Sequence, residues 1–136
     1  MIDASNLSSF AGETLRPTGT CFDDALDLLQ SYSIGSPVEH LTHLRLVHGI
    51  LTDEVGCEFS HAWVEDLDAD EAIFCALRDE ERIYVSVPRM EYRKGFRVRE
   101  ATSYTVEQAW NENAKSGHYG PWQDRYQSLC RARRDG

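Results

Sequence analysis

Apolar and polar positions along this chain repeat with two different periods. Between residues 20 and 32, Phe22, Ala25, Leu26 and Leu29 recur at helical spacing, while Asp23, Asp24, Asp27 and Gln30 take the outward positions. Thr20 suits the N-cap, and the two early aspartates suit the positive end of the helix. Ser33-Ile34-Gly35-Ser36-Pro37 ends this segment. From His40 to Thr52 the period changes to two: Leu44, Leu46, His48 and Ile50 alternate with Arg45, Val47 and Gly49, which predicts a strand. Gly56 marks a turn, and residues 58–66 predict the next strand. There Phe59, His61, Trp63 and Glu65 share one face, and Ser60, Ala62 and Val64 the other. Further strands are expected over 72–78, 82–87 and 92–99, the last with Gly95 as a bend or bulge.

Two helices are expected to close the chain. Thr105-Val106-Glu107-Gln108 has the form of a capping box, Val106, Ala109 and Trp110 face inward, and Gly117 is the stop. Gly120-Pro121-Trp122 opens the second helix with proline at its first position, and Trp122, Tyr126, Leu129 and Cys130 form its apolar stripe. The fold class expected is α+β: an N-terminal helix, an antiparallel sheet of about five strands, and two C-terminal helices. Residues 1–19, rich in Ser, Thr, Gly and Asn, read as an irregular N-terminal segment. Residues 1–136 read as a single domain, with no linker, repeat or low-complexity block.

Composition narrows the functional classes. The chain is 41% hydrophobic, enough for one core, and no apolar run approaches a membrane span. Its N-terminus lacks the basic start and apolar stretch of a secretion signal, so a soluble cytoplasmic protein is expected. A net charge of −9 argues against nucleic acid as a partner. Arg131, Arg133 and Arg134 read as favourable cations at a helix C-terminus. Cys21, Cys57, Cys75 and Cys130 are too widely spaced for a zinc ribbon or a CxxC motif, and reduced thiols are expected. Cys75 and Cys130 read as small core residues. His40, His43, His48, Cys57 and His61 crowd one stretch without a recurrent zinc spacing, and no Gly-rich phosphate cradle is present. The expectation is therefore no metal and no cofactor.

The candidate chemistry is a thiol and an imidazole. Cys21 opens the first helix, where unpaired N–H groups and the macrodipole favour a thiolate, while Asp23 and Asp24 oppose it. His61, on the second strand, is the imidazole that could take and return the proton. Gly19-Thr20-Cys21-Phe22 opening a helix, followed by His61-Ala62-Trp63-Val64-Glu65 on a strand, resembles the papain-like superfamily of thiol hydrolases, most of all its transglutaminase-like and NlpC-like branches. The matching residues span roughly 18–65.

The resemblance implies that Cys21 is the nucleophile and His61 the general base. Such families usually carry a polar residue on the following strand to orient the imidazole. Here that strand is apolar, and Asp79, Glu80 and Ser86 are the nearest candidates. Glu65 shares the face of His61 but lies roughly 13 Å along by strand rise. No glutamine precedes Cys21, so backbone N–H groups would form the oxyanion hole. Trp63, Thr20, Tyr119 and Trp122 are the candidate substrate-binding residues, with Tyr119 and Trp122 in a compact aromatic loop that also reads as packing. The function expected is a thiol hydrolase or acyltransferase acting on an amide, isopeptide or glutamine side chain of a peptide or protein. The alternative is a non-catalytic protein-binding or inhibitory accessory protein on the same scaffold, with its acidic surface facing a basic protein partner.

Overall fold

The computed structural model describes residues 15–53 and 55–135, with no account of the side chains of residues 16, 17 and 130–135. The architecture is α+β, an antiparallel sheet with helices before and after it in the chain. A two-residue strand β1 (Arg16–Pro17) leads into helix α1 (Cys21–Tyr32), a 3-10 turn (Val38–His40), and strands β2 (Leu44–Thr52), β3 (Glu58–Asp66), β4 (Glu71–Arg78) and β5 (Glu81–Pro88). Helix α2 (Arg89–Gly95) precedes strand β6 (Val98–Thr105), and helices α3 (Val106–Ser116) and α4 (Asp124–Asp135) follow.

The β3 bounds are those the alternation predicts, and α1 starts one residue later than expected, with Thr20 as its N-cap residue. Three expectations are corrected. Residues 92–95 are helical rather than the start of a strand, because Tyr92 and Phe96, one helical turn apart, both sink into the core. Gly95 is therefore the end of a helix, and β6 begins at Val98. Pro121 does not open the last helix: it is buried in the preceding loop, and α4 starts at Asp124. The capping box at Thr105 and Gln108 is present with both reciprocal bonds, and α3 stops at Gly117 in the left-handed region.

Strand alternation divides the core into two clusters. On one face, Leu44 and Leu46 of β2, Ala62 and Val64 of β3 and Ile73 of β4 meet Phe22, Ala25, Leu26 and Leu29 of α1 and Val106 and Ala109 of α3. On the other, Val47, Leu51, Phe59, Trp63, Phe74 and Ala76 meet Tyr92 and Phe96 of α2, together with Leu15. Burying a side chain of this size contributes about 1.5–3 kcal/mol, so both faces are needed to hold the sheet.

The sheet opens between β3 and β4. The two pair only from Val64–Ile73 to Asp66–Glu71. β5 pairs with β4 along its whole length, occupying one of its two edges. β3 and β1 therefore share the other edge, and β1 pairs with Leu77 and Ala76 where β3 has left it. Leu15 belongs to the second cluster and Cys21 packs against the first, so the chain crosses the sheet at this opening. Three residues make the crossing, and Gly19, at φ +81°, supplies the left-handed turn.

Candidate functional site

Cys21 is the first residue of α1 and is half-buried. No side-chain cap closes the helix start. The Thr20 hydroxyl, which could have capped it, instead donates to Asp24 Oδ2 at 2.9 Å. Thr18 Oγ1 donates to the same oxygen, and Arg82 Nη1 donates to Asp24 Oδ1. Arg82 also reaches the Thr20 hydroxyl at 3.2 Å. Asp24 is thus buried, not outward as helical spacing suggests, because a cation from β5 comes over α1 to meet it. Cys75, expected in the core, is half-buried on the α1 side of β4. Burial and the Asp24 charge push its thiol up, and Arg82 partly offsets them.

His61 is half-buried on the strand face that the alternation assigns it. Its ring stacks on Trp63, with centroids 6.3 Å apart, and meets Phe59 edge-on at 6.5 Å. Its backbone pairs with Gly49 of β2, and β3 has already parted from β4 at this level. Desolvation pulls its pKa down to about 4 against the opposing charge of Asp24, so the imidazole is neutral at pH 7. Tyr92, fully buried on the far side of the opening, has its phenol pushed far up chiefly by burial, and further by Glu65 and by Cys21 once its thiol is deprotonated. His61 shares its strand face with Phe59 and Trp63 of the second cluster, whereas Cys21 packs against the first, so thiol and imidazole belong to opposite faces of the sheet and could meet only through the opening.

The remaining expected residues are spread over the molecule. Thr20 is exposed beside Cys21. Trp63 is fully buried, with Nε1–H donating 2.9 Å to Glu65, so no face of its ring is open to a substrate. Asp79 and Glu80 form the exposed turn between β4 and β5. Ser86 is exposed and pairs with Ile73, itself opposite Val64, so it lies two strands over and three residues along from His61. Cys130 lies on α4, and its side chain is outside the described residues.

Tyr119 and Trp122 are half-buried against the first cluster. Trp122 helps to enclose a residue the candidate site did not include, His48. That imidazole is fully buried among Phe22, Tyr104 and Trp122, at centroid distances of 4.8, 5.1 and 5.0 Å. Gly120 closes the box: a Cβ there would stand 2.8 Å from His48 Cε1. Neither ring nitrogen has a hydrogen-bond partner among the described residues, and desolvation pulls the pKa down to about 3. The strand alternation already puts His48 on the apolar face between Leu46 and Ile50. Asp24 had no comparable signal, since its burial depends on Arg82, distant in the chain.

Among the described residues no group of three or more His, Cys, Asp or Glu side chains is arranged to hold a metal ion. No described helix is long and apolar enough to cross a membrane. Comparison with protein-family models, with curated proteins and with solved structures gives no match.

Proposed function

We propose that the protein is a thiol hydrolase or acyltransferase of papain-like or transglutaminase-like type, acting on an amide, isopeptide or glutamine carboxamide of a peptide or protein. In this reading Cys21 Sγ attacks the carbonyl carbon, and His61 takes the thiol proton. The tetrahedral oxyanion sits against backbone N–H groups at the start of α1. His61 then returns the proton to the leaving amine, and water or a second amine releases the acyl group from sulfur.

The observation that carries the reading is the opening between β3 and β4. A helix that begins on a half-buried cysteine starts at this break in the sheet, where charge in its first turn acts on the neutral imidazole of His61. Arg82 answers one objection visible in the sequence: its guanidinium meets the Asp24 carboxylate, which reduces the repulsion Asp24 would exert on a Cys21 thiolate. Thr20, exposed beside the thiol, is the substrate-facing residue retained by this reading.

Thiol reactivity tests it. Iodoacetamide labelling of the folded protein against pH, resolved by site, should modify Cys21 faster than Cys57, although Cys57 is the more exposed. The apparent pKa of Cys21 should fall below the roughly 8.5 of an unperturbed thiol, and His61→Ala should slow its labelling. Labelling of Cys21 no faster than Cys57, and indifferent to His61→Ala, removes the catalytic reading and turns the search toward protein partners.

A further inference from the structure

The sheet ends on β6 at one side and on β5 at the other, and the two edges are finished differently. β6 carries Arg99 and Glu100, and its pairing with β2 shifts register there: Ile50 meets Glu100, Leu51 meets Val98, and Arg99 is left over. Charges and bulges are the devices that keep an edge strand from pairing again. β5 has neither. It pairs with β4 in unbroken register from Glu71–Pro88 to Arg78–Glu81, and among the described residues no strand lies on its other side. Between Arg82 and Pro88 it reads Ile83-Tyr84-Val85-Ser86-Val87, with no charge and no proline.

Its side chains alternate between the two faces. Ile83, Val85 and Val87 pack against the second cluster but stay half-buried, while Tyr84, on the α1 side with Arg82, is 53% exposed. A second copy of this strand, run antiparallel about a two-fold axis at Val85, matches it position by position. Val85 then falls opposite Val85, Ile83 opposite Val87, and the large Tyr84 opposite the small Ser86. Arg82 falls opposite Pro88 and not opposite itself. At the ends, exposed Glu81 falls opposite Arg89 of the other copy, so the facing charges are of opposite sign. Moving the axis to Tyr84 would set Val87 opposite Glu81, and moving it to Ser86 would set Ile83 opposite Arg89. Of the three registers, the one centred on Val85 keeps the β-branched row apolar throughout and pairs the end charges.

We propose that β5 is a self-association edge: two copies of this chain pair β5 to β5, antiparallel about Val85, and join their sheets into one. The occupant is a second copy because the edge complements itself, in its apolar row and in the charges at its ends. Pairing gives the outward N–H and C=O groups of β5 partners, and it covers the half-exposed row of Ile83, Val85 and Val87 with the same row from the other copy. The contact is one pair of eight-residue strands, about 27 Å long. It lies at the low end of interface sizes, below about 1,200 Å² in total, so the dimer forms in the micromolar range and the single copy is a folded species. Nothing in this depends on the chemistry of Cys21.

Sedimentation equilibrium of the full chain, from about 1 to 500 μM, should show monomer and dimer and no larger species, because a two-fold contact uses up the edge. Tyr84→Lys together with Ser86→Lys, both at exposed positions, lines the joined edge with ammonium groups from each copy. It should weaken association by about tenfold or more while leaving the urea midpoint of the monomer nearly unchanged. Cross-linking reads the register, on a Cys57→Ser background that removes an exposed thiol. Val85→Cys sets two thiols at the axis, where opposed Cα atoms stand about 4.5–5.5 Å apart, within disulfide reach. Oxidised glutathione should therefore give a covalent dimer that a reductant reverses. Tyr84→Cys, although more exposed, falls two residues along the strand from its own copy and should cross-link about tenfold more slowly. A chain that stays monomeric at 500 μM overturns the proposal and leaves β5 as an edge for a different protein. A dimer indifferent to the two lysines, or Tyr84→Cys cross-linking as fast as Val85→Cys, overturns it as well.

Discussion

Arg93 reaches from α2 to close two hydrogen bonds of 2.9 Å on the carboxylate of Glu65, a side chain only 1% exposed. Arg89 adds a third contact at 3.2 Å, and the Trp63 indole N–H a fourth at 2.9 Å. Burial alone would push the Glu65 carboxyl up. The hydrogen bonds from Arg93 and Trp63, with the charges of Arg93 and Arg89, outweigh it and hold the pKa below the usual 4.5. The cluster fastens α2, and with it Tyr92 and Phe96, onto the second face of the sheet.

Removing Arg93 leaves the buried carboxylate with only the longer Arg89 contact and the Trp63 N–H. Arg93→Met should cost about 3 kcal/mol in urea unfolding at pH 7. Arg89→Met, which removes a single longer contact from a carboxylate still paired by Arg93, should cost about 1 kcal/mol. Because the folded pKa of Glu65 is depressed, its stabilisation is present above about pH 4.5 and is lost as pH falls through the lower folded value. The Arg93→Met variant should therefore lose less stability on acidification than the unmodified protein. Equal costs for the two variants would show that the ordering of contacts has been misjudged.

The same network fixes the Trp63 ring over the strand beside it. A Cβ on Gly49 would stand 2.6 Å from Trp63 Cη2 and 3.2 Å from the Glu100 carbonyl oxygen. The indole cannot retreat without giving up its bond to Glu65, and the second obstacle is backbone. Gly49→Ala should thus destabilise by about 1–3 kcal/mol through overpacking. The check is the urea midpoint; a variant that unfolds at the midpoint of the unmodified protein would mean that the strand yields at no cost.

Much of this fold was legible in the chain because several elements are locally consistent. β3 announces itself by alternation, α1 by helical spacing, and α3 by its capping box and terminal glycine. Helix α2 was not legible: seven residues with few apolar positions carry little periodicity, and its packing partners are on distant strands. The site divides in the same way. Cys21 at a helix start and the strand face of His61 follow from local pattern. The burial of Asp24 follows from a cation 58 residues away, and the crossing of the sheet at β1 from a strand too short to have a period.

Two threonines precede helices, and the structure gives them different work. The Thr105 hydroxyl accepts from the Gln108 N–H at 3.1 Å, and the Gln108 side chain accepts from the Thr105 N–H at 2.9 Å. Thr105→Ala should cost about 1 kcal/mol, and Gln108→Ala a part of that. Thr20 makes no such cap, so Thr20→Ala should act through the Asp24 cluster instead. Urea midpoints would check the first pair. Cys21 labelling would check the last, where an unchanged rate would separate Thr20 from the site.

His48 is a costly neutral group in the core. Both of its ring nitrogens are buried without a hydrogen-bond partner among the described residues, and the aromatic box around it offers edges and faces in place of acceptors. Leaving such groups unsatisfied costs about 1–3 kcal/mol, part of which the ring contacts return. His48→Leu, similar in volume and without polar atoms, should raise stability at pH 7 by about 1 kcal/mol. The larger effect lies in the pH dependence. With a folded pKa of about 3 against 6.5 in the unfolded chain, His48 binds a proton in the unfolded state alone over that interval. Stability must therefore fall as pH drops from 6.5 toward 3, by about 1.4 kcal/mol per unit where the difference is fully expressed. His61 adds a contribution of the same sign from 6.5 down to about 4, and it persists in the variant. Between pH 7 and 5, His48→Leu should gain about 2 kcal/mol on the unmodified protein. Urea unfolding of both at the two pH values measures it. Parallel pH profiles would show that His48 finds a proton or a partner in the folded state, and that the aromatic box is not closed around a bare imidazole.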